Sequence, residues 1–366
     1  NNFPFFFRTF AKSYTEKYSD TTFCIRCSHY FTANTILNNI KTTSTKHITT
    51  MGKDTEFEGN KPYNDYGSWI RTQFPFRVQK ISVDAGFSCP NRDGHVSHGG
   101  CSFCDNRSFS PQYCEKGKAI AQQIKDGKDF FAKKYPSMKY IAYFQAFTNT
   151  YGDIDTLKRR YEEALSQEDI VGLVIGTRPD AVDDATLNYL EQLNRQTFLI
   201  VEYGIESAND ATLRRINRGH DFECSRRAIS KTHGRGILTG GHIIIGLPGE
   251  DENESLRQAP TISALDLDVL KIHQMQIIRG TRLATEYAST PFRLYTPEEY
   301  IKLVSQYVEL LRKDIIIERF VSQSPADLLV APKWKLKNHE FTDKLVNYMK
   351  KTGCYQGKRA SETNLL

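Results

Sequence analysis

Six short apolar runs recur along this chain with helix-period segments between them, and that alternation restricts the fold more than any other feature. The runs lie at 78–85, 139–146, 171–176, 197–205, 237–246 and 268–277; the helical segments lie near 117–135, 153–166, 183–195, 221–234 and 250–265. Asp153 stands before IDTLKRRYEEAL and Asp180 before AVDDATLNYL, both suited to cap a helix start. The runs are continuously apolar rather than alternating, as in strands covered on both faces, so the sheet is expected to be parallel. Such a chain closes into a barrel or opens as a doubly wound sheet. Either way ligands sit at the carboxyl ends of the strands.

Polar residues gather at those ends. Gln145, Thr148, Asn149 and Thr150 follow the second run, and Thr177, Arg178, Pro179 and Asp180 the third. The fourth carries Glu202, Glu206 and Ser207, the fifth ends in GLPGE (246–250), and the sixth holds Lys271, His273 and Gln274. Capping or core hydrogen bonding accounts for any one of them. Their clustering on one face points to a ligand site.

After the first run comes GFSCPNRDGHVSHGGCSFCDN, with Cys89, Cys101 and Cys104 in the spacing C-x11-C-x2-C. Three thiolates suit a 4Fe–4S cluster that keeps one iron open for an exchangeable ligand. Gly94, Gly99 and Gly100 let the backbone approach such a group. A structural zinc ion is the alternative, with His95, His98 or Cys114 as a fourth ligand. A disulfide is disfavoured, because the spacing of the eight cysteines suggests no pairing and nothing marks the chain as secreted. The C-x2-C of Cys24 and Cys27 has no second pair nearby.

Net charge adds little. The formal +6 is shared between +4 in residues 1–50, from six Lys/Arg and two Asp/Glu, and +2 in the rest, so any nucleic-acid surface would be a local patch. Hydrophobic residues at 39% suffice for a core, and no run reaches membrane-spanning length, so a cytoplasmic protein without membrane attachment is expected. Residues 1–50 hold fifteen Ser/Thr and five Asn and show no period, whereas Met51 opens what reads as an ordinary chain start. The first fifty residues are therefore expected to be a disordered or non-native extension, dispensable for folding.

The stretches CPNRDG (89–94), GGCSFC (99–104), YFQAFTNTY (143–151), GTRPD (176–180), VEYGIES (201–207), INRGHD (216–221), HIIIGLPGE (242–250), KIHQ (271–274) and RGT (279–281) resemble the radical S-adenosylmethionine (radical SAM) superfamily. The closest likeness is to its YhcC-type group, akin to the radical domain of the Elongator catalytic subunit. APKW (331–334) and YQGKR (355–359) carry the resemblance to the tail. It implies an α/β fold: a partial (βα)6 TIM-like barrel over residues 51–290, and a small C-terminal α+β extension, 291–366, covering it. It further implies a 4Fe–4S cluster on Cys89, Cys101 and Cys104, S-adenosylmethionine (SAM) beside it, and an electron donor such as flavodoxin or ferredoxin. Phe103 matches the aromatic position flanking the adenine. Glu206 departs from the glutamine expected at its position, and no acetyltransferase region follows the barrel.

Strand-end position places Gln145, Asn149, Glu202 and Gln274 in the SAM pocket, with the Gly246–Leu247 backbone beside the adenine. Glu202 either accepts a hydrogen bond from the cofactor or pairs with Arg178 or Lys271. The implied activity is reductive cleavage of SAM to a 5′-deoxyadenosyl radical that takes hydrogen from an unidentified substrate. Two alternatives stand beside it. One is an RNA-modifying radical enzyme acting on tRNA, suggested by the interleaved basic and aromatic residues of 333–359, which otherwise read as a solvated helix face and a lid. The other is a non-catalytic module holding a structural cluster or zinc.

Overall fold

The computed structural model describes Phe57 and residues 60–132 and 137–360; the expectation for residues 1–50 lies outside them. Helix α1 (Tyr66–Gln73) precedes β1 (Val78–Val83), α2 (Ile120–Ala132), β2 (Lys139–Phe144), α3 (Ile154–Leu165) and β3 (Ile170–Thr177). Then come α4 (Asp184–Asn194), β4 (Phe198–Glu206), α5 (Asp210–Arg215), α6 (Phe222–His233), β5 (Leu238–Ile245), α7 (Glu252–Ser263) and β6 (Val269–Gln274). The chain ends with β7 (Ile277–Ile278), α8 (Arg282–Ser289), α9 (Pro297–Glu309), β8 (Ile316–Arg319), β9 (Leu329–Ala331) and α10 (Asn338–Thr352).

All six expected strands form and pair in parallel in chain order. A seventh, β8, joins them beside β6, so the sheet runs β1-β2-β3-β4-β5-β6-β8. Beyond the six expected strands, residues 291–366 thus supply a seventh strand of the half-barrel. The run IIIERF (315–320) escaped the sequence pattern because β7, α8 and α9 interrupt the strand–helix rhythm before it. The sheet curls into a half-barrel whose edge strands meet through side chains, Lys80 of β1 reaching Glu318 of β8 at 2.6 Å.

Alternation along the strands divides the core. Outward residues such as Val83, Phe144, Leu173, Val201, Ile243 and Leu270 pack under the helices with Leu157, Leu190, Ile229 and Ile262. Inward residues Ile141, Val174, Ile200, Val269 and Ile316 form an apolar floor plugged from below by Tyr66, Trp69 and Ile70 of α1. Asp153, Asp221 and Asp251 cap α3, α6 and α7. Asp180 does not cap α4 as expected. Asp183 does, accepting from Thr186 N at 2.7 Å, because Asp180 lies in a short 3-10 turn and is taken by Arg178. Near the tail, α10 buries Phe341, Leu345 and Met349, and Trp334 stacks on Phe341, so the basic–aromatic segment covers the barrel with its apolar residues. No described helix is long and apolar enough to cross a membrane.

Candidate functional site

The cysteine loop leaves the carboxyl end of β1 and folds on its own backbone. Arg92 N donates to Cys89 O at 2.8 Å, Gly100 N to Asn91 O at 2.7 Å and Cys104 N to Cys101 O at 3.1 Å. Two other motifs hold it from outside. From INRGHD, Asn217 donates to Gly100 O at 2.9 Å, and Ile216 O accepts from Ser102 N at 2.8 Å. After RGT, Arg282 donates to Gly100 O and Leu283 N to Ser102 O. Those two sequence signatures are therefore parts of the loop's mount.

Cys101 Sγ accepts from Arg218 Nη1 at 3.4 Å and from Asn91 Nδ2 at 3.5 Å. Arg92 lies close enough to all three thiols for its charge to act on each. Burial, with Cys101 beside it, pushes the Cys104 thiol up to about 11, so loading a metal group must displace protons while Arg92 and Arg218 favour the resulting negative charge. Gly204 makes room for Arg218: a Cβ there would stand 2.7 Å from Arg218 Nη2.

The three thiols line one cavity at the strand ends, about 1200 Å3 with its open mouth included. Phe103, Gln145, Glu202 and Gln274 line it too. Asn149, Gly246 and Leu247 do not. Asn149 is fully buried and its amide ties the ends of β2 and β3, donating to Phe144 O at 3.0 Å and Gly176 O at 2.8 Å. Gly246 turns with φ 89° against the Tyr295 ring, and Leu247 packs with Leu213, Ile216 and Met275. Gln274 clamps the segment after β8, donating to Ser322 O at 3.0 Å and accepting from Ser322 N at 3.1 Å.

Four lining residues carry a buried polar atom with no hydrogen-bond partner: Thr148 Oγ1, Arg178 Nη1, Arg218 Nε and Arg319 Nε. Four of the twelve such atoms among the described residues lie around this one cavity, which suits a polar ligand. Arg319, with Tyr143 and His242, was not singled out from the sequence, where each sits inside an apolar run.

Below the thiols, inward side chains form a charged layer. Glu202 bonds Lys271 at 2.7 Å, His242 at 3.0 Å and Lys80 at 3.2 Å; Lys271 also lies 3.3 Å from Glu318 and donates to the Tyr143 hydroxyl at 3.0 Å. Of the two partners considered for Glu202, Lys271 is bonded. Arg178 turns to Asp180 instead, at 2.7 and 2.8 Å. Gly240 leaves space for the glutamate, since a Cβ there would stand 2.8 Å from Glu202 Cγ.

Burial is the largest influence on all these groups. It lowers Lys271 to about 8 against the pull of Glu202 and Glu318, and His242 to about 4 with help from Lys271. His273 falls well below its usual value through burial and Arg319. Glu202 is nevertheless held well below the carboxylate range, because Lys271 and Lys80 outweigh its burial. His242 is neutral when folded, so below about pH 6.5 the unfolded chain binds a proton that the folded chain refuses until about pH 4, and burial of His273 acts in the same direction. Glu202 and Glu318 act in the same direction below about pH 4.5. Urea titrations from pH 7 to 4 are expected to show His242 alone costing up to about 3 kcal/mol at the acid end, with His242→Gln flattening that part of the profile. An unchanged midpoint across this window would contradict the assignment.

The sequence profile of the Radical SAM superfamily matches residues 93–257, and that of the Radical_SAM C-terminal domain matches 267–351. YtqA of Bacillus subtilis is 35% identical over 298 residues, spanning 81% of this chain and 92% of YtqA. The chain belongs to the radical SAM superfamily. YhcC of Escherichia coli K12 is 34% identical, covering 75% of this chain and 88% of YhcC. The solved structure of Elp3 from Methanocaldococcus infernus superimposes with a TM-score of 0.58 at 19% identity, over 79% of this chain and 68% of that one, and supports the fold. Radical SAM membership brings the superfamily's cofactors, a 4Fe–4S cluster and SAM.

The residues present fit both groups. Three thiols share one cavity beside two guanidinium groups, and unpartnered polar atoms surround them. The candidate fourth zinc ligands His95, His98 and Cys114 lie outside the cavity lining.

Proposed function

We propose that this chain is a radical SAM enzyme in which Cys89, Cys101 and Cys104 ligate the cluster and the strand-end cavity receives SAM and a substrate. The observation that carries the reading is the three thiols on the rim of a cavity whose walls hold unsatisfied polar atoms. When bound, the cluster supplies the electron that splits SAM into methionine and a 5′-deoxyadenosyl radical, which takes a hydrogen atom from the substrate. Arg218 and Arg92 offset the negative charge of a thiolate-ligated cluster, and Arg218 donates to one ligating sulfur. Phe103, between two of the thiols, offers a ring to the adenine. Thr148 and Arg178 offer polar atoms to SAM or substrate. The Tyr295-backed turn after β5 and the apolar packing of Leu247 and Met275 keep water from the cavity's back wall. An electron donor of flavodoxin or ferredoxin type is part of the proposal, as the chain has no second cysteine cluster among its described residues.

Anaerobic reconstitution with iron and sulfide, followed by a reductant and SAM, is the test. A brown protein that releases methionine and 5′-deoxyadenosine supports the reading. A protein that holds iron but leaves SAM intact under strong reductant supports the structural-cluster alternative and overturns it. Copurifying RNA that is lost as salt rises would identify the RNA-modifying form of the same chemistry.

A further inference from the structure

A β-bulge lies at the end of the seventh strand. Lys271 of β6 pairs with Arg319, leaving Glu318 as the extra residue in β8. In a regular strand consecutive side chains point to opposite faces; the bulge turns both of these inward. Glu318 meets Lys80 and Lys271, and Arg319 lines the cavity. Gln274 and Gln276 pin the segment that follows, through Ser322 O and the Ser324 hydroxyl, so Arg319 is mounted on a held strand end.

Its guanidinium has nothing to hold. Among the described residues Arg319 makes no side-chain hydrogen bond or ion pair, and its Nε is buried without a partner. The groups around it cannot neutralise it. Lys80 and Lys271 balance Glu202 and Glu318, while His242 and His273 are held neutral. Arg319 is therefore a surplus positive charge on the barrel interior. It acts on Tyr143, His242, Lys271 and His273, the floor of the cavity, whereas Arg92 and Arg218 are the guanidiniums beside the thiols. The residue is half-buried, and its Nε is shut off from water without a partner, a cost that a ligand's oxygens would remove.

We propose that Arg319 is the anion-binding residue of a substrate subsite beneath the cofactor, and that the substrate is a small molecule bearing a carboxylate or phosphate group. This rests on reading the cavity as a radical SAM site. The planar fork of a guanidinium suits either oxyanion, and pairing at the floor orients the rest of the molecule toward the cluster side. The anion belongs to the substrate, since the groups nearest the thiols are other arginines.

The test uses the anaerobically reconstituted holoenzyme, with SAM present and absent, and inorganic phosphate or acetate as probe. Ligand-observed NMR is expected to show at least one probe binding wild type in both states. Arg319→Gln should weaken that binding about tenfold or more, Arg319→Lys should recover part of it, and the surface control Arg226→Gln should not alter it. SAM affinity should be the same in wild type and Arg319→Gln. Wild type provides a check that needs no variant: the probe should protect Arg319 from phenylglyoxal, read by peptide mass. Binding by only one probe tells phosphate from carboxylate substrates and supports the proposal. Binding by neither, undiminished binding in Arg319→Gln, or no protection of Arg319 overturns it. Displacement of the probe by SAM, or loss of SAM affinity in Arg319→Gln, assigns the arginine to the cofactor's carboxylate and also overturns it. Failure of the wild-type holoenzyme to cleave SAM would instead sink the enzyme reading, and would leave the anion result standing.

Discussion

Cys101→Ala is expected to yield a folded protein without its cluster and with SAM cleavage at background. Cys101 is buried at the cavity rim, where Arg218 and Asn91 donate to its sulfur, and among the described residues the cavity is lined by no cysteine beyond Cys89, Cys101 and Cys104. The loop should keep its shape, because backbone bonds and the Asn217, Arg282 and Leu283 contacts hold it independently of the thiol. Iron and sulfide should fall to trace amounts while the circular dichroism spectrum is retained. Cys114→Ala, Cys224→Ala and Cys354→Ala should load normally. Cys114 is buried beside Asp84, with its thiol pushed up to about 12 by burial, and Cys224 and Cys354 lie on α6 and just after α10. Iron lost from Cys114→Ala but kept by Cys89→Ala would refute the ligand set.

The second large effect is on stability. Glu202→Ala leaves Lys271 without its 2.7 Å partner and strips Lys80 and His242 of theirs, with only Glu318 to share between two buried ammonium groups. Breaking a buried pair from one side costs about 3–5 kcal/mol, or roughly 10 °C in Tm for a domain of this size. The double variant Glu202→Leu/Lys271→Met should recover much of the loss, since it removes an anion and a cation together and leaves Lys80 paired with Glu318. Iron content should not change. A Glu202→Ala protein with wild-type Tm and weakened SAM binding would show that the carboxylate serves the ligand rather than the barrel.

The charged layer and the cysteine loop differ in how they could be read beforehand. Cys89, Cys101 and Cys104 declare themselves within one short segment, because a thiolate set has few other uses at that spacing. Lys80, Glu202, His242, Lys271 and Glu318 are scattered over five strands, each in an apolar run where a lone polar residue has many explanations. Asn149 has a structural role that the sequence did not suggest. Its strand-end position suggested a ligand contact, yet its amide closes the gap between β2 and β3.

The sequence by itself determined the order of strands and helices, the parallel sheet and the cysteine loop, because each follows from local periodicity, capping and spacing. Helix and strand periods are written in neighbouring residues, and so is a ligand triplet on one loop. Only the tertiary structure decided that β8 completes the sheet, that Asp180 serves Arg178 while Asp183 caps α4, and that Glu202 is bound by Lys80, Lys271 and His242. Only it turned Arg319 inward without a partner. Those outcomes depend on which distant side chains share an interior, and in a buried space charge pairing is settled by proximity, not by position along the chain.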